Sequence, residues 1–167
     1  MLEGLRLGRV EISKLLGKKL GENNYKLAVA ESITGGALAD NIVSTSGASR
    51  YFTGGVVAYA NKMKHKILDV EWNLLVTRGS VDEEVAYQMA FGVRKLFDTD
   101  CAISTTGFAD SGLSAKEDTG LVFVGILTPK SRQVIKMRLL DENPDLERNQ
   151  VREFVVLNAL TALYDSL

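Results

Sequence analysis

The chain has 167 residues, 46% of them hydrophobic and 25% charged, with a formal net charge of −1. That length carries one domain with a real core, and the composition is that of a folded globular protein rather than a disordered one. The charge balance excludes a basic nucleic-acid arm or membrane patch, and no apolar run approaches the roughly 20 residues of a transmembrane helix.

Met1-Leu2-Glu3-Gly4-Leu5-Arg6 lacks the apolar core of a signal peptide. With a single cysteine, Cys101, no internal disulfide is possible. A cytoplasmic location is therefore expected. A helix is expected from about Arg9 to Gly21, with Ile12, Leu15, Leu16 and Leu20 forming one apolar stripe. Gly21 ends it and Asn23-Asn24 turn the chain into a strand, about Tyr25 to Ala30.

That strand runs into Glu31-Ser32-Ile33-Thr34-Gly35-Gly36 and then a helical stretch, Ala37 to Val43. A strand turning through hydroxyls and glycines into a helix places Ser32 and Thr34 where backbone approaches a ligand closely. The helix N-terminus is expected to offer unpaired N–H groups to an anion or oxyanion. The same residues also fit a plain helix cap made by Ser32 or Thr34. Both readings stand at this point.

A small-residue loop, Ser44 to Ser49, precedes Tyr51-Phe52 and Gly54-Gly55, and a short strand is expected over Val56 to Tyr59. Asn61 is positioned to cap a helix from about Lys62 to Leu68. Ser80 followed by Glu83 reads as a capping box for a helix running to Phe97, with Val85, Met89, Val93 and Leu96 as its apolar stripe. A third strand, Cys101 to Thr105, ends in Thr106-Gly107, and a polar loop runs from Phe108 to Thr119. Gly120 to Leu127 reads as a doubly buried strand, joined by a short connection to an amphipathic strand, Gln133 to Leu140. Asn143-Pro144 is expected to open a last helix reaching Tyr164.

This order predicts one α/β domain over residues 1–167, with a mixed, mainly parallel sheet, helices on both faces and a C-terminal antiparallel pair. Ligands in such sheets gather at the carboxyl ends of strands. Ser32-Thr34, Tyr59-Asn61 and Thr106-Gly107 should therefore meet there.

The chemistry open to these segments is narrow. The one histidine, His65, lies between Lys64 and Lys66 and reads as a surface position rather than a triad member. Cys101 opens an apolar strand and reads as a buried thiol. Zinc-type ligand spacing, the dinucleotide fingerprint and the P-loop are all absent from the sequence. Hydroxyl chemistry remains, with Ser32 as nucleophile, Lys64 as a base if burial lowers its pKa, and Tyr59 as an orienting group.

The motifs resemble the family of the CinA C-terminal domain, the nicotinamide mononucleotide (NMN) amidases. The family's A-E-S-C-T-G-G is matched by Ala30-Glu31-Ser32-Ile33-Thr34-Gly35-Gly36. Its Y-F-x-G-G-V-V-A-Y-x-N-x-x-K is matched from Tyr51 to Lys64, and a third block is matched from Gly79 to Ala90. The resemblance implies hydrolysis of the NMN carboxamide to nicotinate mononucleotide and ammonia, as in pyridine-nucleotide salvage.

By motif position it implies Ser32 as nucleophile, Lys64 as base and Tyr59 beside them. Gly35 and Gly36 shape the turn, Gly47 and Ser49 help build an oxyanion hole, and Thr34, Asn61, Thr106, Gly107 and Arg148 contact ligand. Arg148 would meet the phosphate. The resemblance implies a homo-oligomer acting on a small molecule, with no metal, organic cofactor, nucleic acid or membrane, in a stand-alone form without the N-terminal domain many relatives carry.

Departures concentrate after the third strand. There the family's T-G-I-A-G-P-G-G becomes Thr106-Gly107-Phe108-Ala109-Asp110-Ser111-Gly112-Leu113, and its G-D-R becomes Leu146-Glu147-Arg148. An active amidase on NMN or a related carboxamide is one expectation. A homologue that binds a nucleotide, or regulates, without turnover is the other.

Overall fold

In the computed structural model the backbone is described for residues 2–110 and 118–167, and side chains for 8–110, 118–141 and 143–167. Ser111, Gly112 and Leu113, in the divergent loop, lie outside the described residues.

Five strands form one sheet: β1 (Leu27–Glu31), β2 (Phe52–Val57), β3 (Cys101–Gly107), β4 (Leu121–Leu127) and β5 (Arg132–Arg138), in the spatial order β2-β1-β3-β4-β5. β1 pairs in parallel with β2 and β3, and β3-β4-β5 are antiparallel. The helices are α1 (Leu2–Glu22), α2 (Ala37–Val43), α3 (Asn61–Leu68), α4 (Trp72–Thr77), α5 (Glu83–Phe97), α6 (Leu139–Glu142) and α7 (Arg148–Ser166).

β1 alternates its side chains between two cores, as a pleated strand must. Leu27 and Val29 join Leu16 and Leu20 of α1, Ile42 of α2 and Val151, Val155 and Leu160 of α7. Ala28 and Ala30 face the other way, into Leu68, Leu74, Val85, Met89 and Val93. Small residues on that second face let α5 lie close to the sheet. A Cβ on Gly125 would stand 2.7 Å from the Ala86 carbonyl oxygen, and on α5 itself a Cβ on Gly92 would clash with the Leu68 carbonyl at the end of α3.

Several boundaries differ from the sequence reading, each for a local reason. β2 starts at Phe52 and includes Gly54-Gly55, because those glycines are packing positions and not breakers. A Cβ at Gly54 would come 2.7 Å from the Phe97 ring, and one at Gly55 2.5 Å from Val29 Cγ2. Asn61 does not cap α3; Ala60 is the N-cap, and Asn61 is the first helical residue. Ser80 does not cap α5 either. Asp82 does, accepting from the Glu84 N–H at 2.8 Å. The last helix begins at Arg148, where Glu147 and Gln150 form the capping box, and α4 and α6 were not anticipated. Leu15 and Leu96 are 44% and 52% exposed, so neither belongs to the buried stripe of its helix.

Among the described residues no helix is long and apolar enough to cross a membrane.

Candidate active site

The parallel register brings the carboxyl ends of β1, β2 and β3 level, with Glu31 opposite both Val57 and Thr105. The turn after β1 is then tied to both neighbours: the Ser32 N–H donates to the Thr105 carbonyl at 2.9 Å, and the Ala58 N–H to that of Glu31 at 2.8 Å. Gly35 and Gly36 take φ values of 58° and 102°, a region other residues enter only with strain.

The amides at the start of α2 are not open, contrary to the sequence expectation. The Glu31 side chain, 1% exposed, folds back and accepts from the N–H groups of Gly36 (2.9 Å), Leu38 (3.0 Å) and Ala39 (2.9 Å). It satisfies the orphan donors of the helix and sits at the positive end of its dipole. Neither Ser32 nor Thr34 caps the helix by its side chain. The Thr34 hydroxyl pairs with that of Thr105 at 2.8 Å, and Ser32 is left for another partner.

That partner is Lys64, one turn into α3 and 1% exposed. Its Nζ donates to Ser32 Oγ at 2.9 Å, to the Ala58 carbonyl at 3.0 Å and to the Tyr59 carbonyl at 2.9 Å. Among the described residues no carboxylate forms an ion pair with it. Burial without a counter-charge disfavours the ammonium and pulls the lysine pKa down to about 8. In the neutral amine, two N–H bonds to the carbonyls leave the lone pair directed at Ser32 Oγ. This is the arrangement of a general base on a hydroxyl nucleophile.

Above this pair opens a cavity of about 400 Å³, lined by Ser32, Ile33, Tyr59, Ser80, Gly107, Phe108, Ala109, Asp110 and Arg148. At its mouth Arg148 Nη1 donates to Asp110 Oδ2 at 2.7 Å and Nη2 to the Tyr59 hydroxyl at 3.2 Å. The bond to Asp110 raises the guanidinium pKa further. Behind the turn, Arg152 donates to the carbonyls of Ile33 (3.2 Å) and Thr34 (2.8 Å), fixing the backbone that follows Ser32.

Of the residues singled out from sequence, Ser32, Lys64, Tyr59, Gly107 and Arg148 come together here. Thr106 is close by, but its hydroxyl is donated to the Ser80 carbonyl. Thr34 is fully buried beneath the turn, and Asn61 opens α3 outside the cavity lining. Gly47 and Ser49 are not brought to Ser32 within this chain. They belong to the turn before β2, whose Tyr51 carbonyl accepts from Leu27 at the start of β1. They therefore sit at the opposite, amino end of the sheet.

Two contributors were missed. Glu31 lies within the motif without a role that its neighbours imply, although a carboxylate between an apolar strand and a helix start is itself a capping signal. The Ile33 N–H, directly after Ser32, has no acceptor among the described residues.

Competing chemistry is out of place. His65 is exposed, with Nδ1 bonded to the Val70 carbonyl at 2.8 Å and its ring tilted against Trp72. Cys101 is buried, and burial, with Asp100 adding to it, pushes its thiol up to about 12. No cluster of three or more potential metal-ligating side chains occurs among the described residues.

The sequence profile of the CinA C-terminal domain family matches residues 9–167. A CinA-like protein of Microcystis aeruginosa (strain NIES-843) is 38% identical over 154 residues, covering 92% of this chain and 36% of the relative. A CinA-like protein of Trichodesmium erythraeum is 46% identical over 116 residues, covering 69% of this chain and 27% of the relative. The chain thus spans little more than a third of the length of these curated relatives at most. Among solved structures, the competence/damage inducible protein CihA of Agrobacterium tumefaciens superposes with a TM-score of 0.88 at 28% identity, covering 95% of this chain and 94% of the other.

Proposed function

The chain belongs to the CinA C-terminal domain family, and from that footing we propose that it is a metal-independent amidohydrolase using Ser32 and Lys64 as nucleophile and base. The observation that carries this is the 2.9 Å contact between Lys64 Nζ and Ser32 Oγ, with both remaining lysine donors held by carbonyls.

Neutral Lys64 takes the Ser32 proton as Oγ attacks the carboxamide carbon. The oxygen of the tetrahedral intermediate gains negative charge, and the Ile33 N–H is the nearest backbone donor in sequence with no other acceptor. This donor takes the part that the family resemblance gave to Gly47 and Ser49. Lys64 then gives its proton to the leaving nitrogen, the C–N bond breaks and ammonia departs, leaving an ester on Ser32. Water, activated by the same amine, attacks that ester; Oγ recovers a proton and the carboxylic acid product leaves as its anion. Tyr59 contributes twice, with its carbonyl on Lys64 and its hydroxyl on Arg148.

NMN is the substrate that family membership supports first, with nicotinate mononucleotide as product. Incubating pure protein with NMN and measuring both products, with Ser32→Ala alongside, tests the reading. Release of ammonia and acid in equal amounts by wild type only is the expected result. Saturable NMN binding without turnover would replace it with a binding role.

A further inference from the structure

Among the described residues Arg148 is the one cation in the lining of the Ser32 cavity, and its Nη1 already donates to Asp110 Oδ2. Arginine forks recognise carboxylates and phosphates through paired N–H donors. Here Asp110 on Nη1 and the Tyr59 hydroxyl on Nη2 engage both terminal nitrogens. An incoming phosphate dianion meets a neutralised guanidinium, and it must displace the carboxylate or lie beside a like charge. An uncharged or cationic group meets no such obstacle, and a cationic one gains from Asp110. Tyr59 and Phe108 add aromatic surface to the same wall, chemistry suited to a planar or cationic ring.

We propose that Asp110 is a specificity-determining residue: paired with Arg148 across the mouth of the Ser32 cavity, it directs the site toward carboxamides whose distal end is uncharged or cationic and away from phosphate monoesters. This rests on the amidase reading for its substrate half and on the ion pair for its charge half. The substrate class it names is a carboxamide of an unphosphorylated ring or nucleoside.

The test compares nicotinamide riboside with NMN, which differ by the phosphate, on wild type and Asp110→Asn. Wild type is expected to favour the riboside in kcat/KM by at least about 10-fold, the order of a single charge contact. Asp110→Asn keeps the shape, removes the charge and shifts the ratio toward NMN by roughly 10- to 100-fold, through a fall in KM for NMN. A ratio that does not move in the variant overturns the proposal and leaves the amidase reading intact.

A second measurement does not need turnover. Calorimetric titration of ribose 5-phosphate into Ser32→Ala should tighten at least about 10-fold when Asp110→Asn is added, and that gain should vanish with Arg148→Gln. Tightening without turnover of either amide removes the amidase reading and keeps Asp110 as the selector. Unchanged phosphate affinity removes Asp110 from that role.

Discussion

At the inner end of the cavity a lysine that is 1% exposed stands among neutral partners, a hydroxyl and two carbonyls. At the outer end an arginine and an aspartate, with side chains 48% and 49% exposed, pair directly at 2.7 Å. Beneath the cavity lies a charge stripped of water and counter-ion, and at its mouth a pair supplied with both. Isolation favours the neutral amine of Lys64, because burial penalises its ammonium and not its amine. Pairing leaves Arg148 a cation with its field largely cancelled. On the proposed reading the inner end serves proton transfer and the outer end selection, and substitutions at the two should separate accordingly.

The largest effect belongs to the inner end. Ser32→Ala removes the proposed attacking atom and should lower kcat by at least about 1,000-fold in an ammonia-release assay, with the fold retained by circular dichroism. Residual activity within tenfold of wild type would exclude covalent catalysis by Ser32.

Lys64→Met should follow, at roughly 100- to 10,000-fold. The wild-type rate should rise with pH and level off above about 8, as the amine deprotonates. Stability has its own signature. A base whose folded pKa is depressed binds fewer protons folded than unfolded between about 8 and its ordinary value of 10.5. Folding stability should therefore climb with pH across that window, by roughly 3 kcal/mol at most, and this part of the slope should disappear in Lys64→Met. Urea titrations at pH 7 and 10 on both proteins measure it. An identical pH dependence in the two would place the lysine charge in solvent.

How much of this was legible in the sequence follows the range of the interactions. Ser32 and Lys64 were readable because each is fixed by its own element: one follows an apolar strand, the other lies a turn into a helix. The α/β order, the parallel early strands and the antiparallel late pair were readable for the same reason. Boundaries failed where packing outweighed local propensity. Gly54-Gly55 reads as a break but is strand backbone held close to Phe97 and Val29. Ser80 has the right spacing to Glu83 for a cap, yet Asp82 outcompetes it two residues on. Which end of the sheet a loop occupies is likewise unwritten in its composition. Gly47 and Ser49 look like oxyanion-loop residues, and only the pairing of Phe52 with Leu27 puts them at the far end. The Asp110–Arg148 contact spans 38 positions, beyond the reach of any local pattern.

Glu31 lies between the two ends in expected effect, because it holds the turn and touches no substrate. Glu31→Gln keeps the volume but turns an NH2 group toward amides that need an acceptor. It should cost about 1–3 kcal/mol of stability and reduce activity by loosening Ser32, seen as a lower urea midpoint together with a fall in kcat. An unchanged midpoint would mean that the helix amides are satisfied without the carboxylate.

The smallest effect is expected where the ion pair looks strongest. Asp110 and Arg148 meet at 2.7 Å, but nearly half of each side chain is in water. Solvent and salt screen such a pair, and ordering two side chains offsets much of the attraction. Asp110→Asn should change unfolding free energy by no more than about 1 kcal/mol, while altering which ligands the mouth accepts. A loss of several kcal/mol would mean that the pair braces the fold, and the division between a proton-transfer end and a selecting end would fail there first.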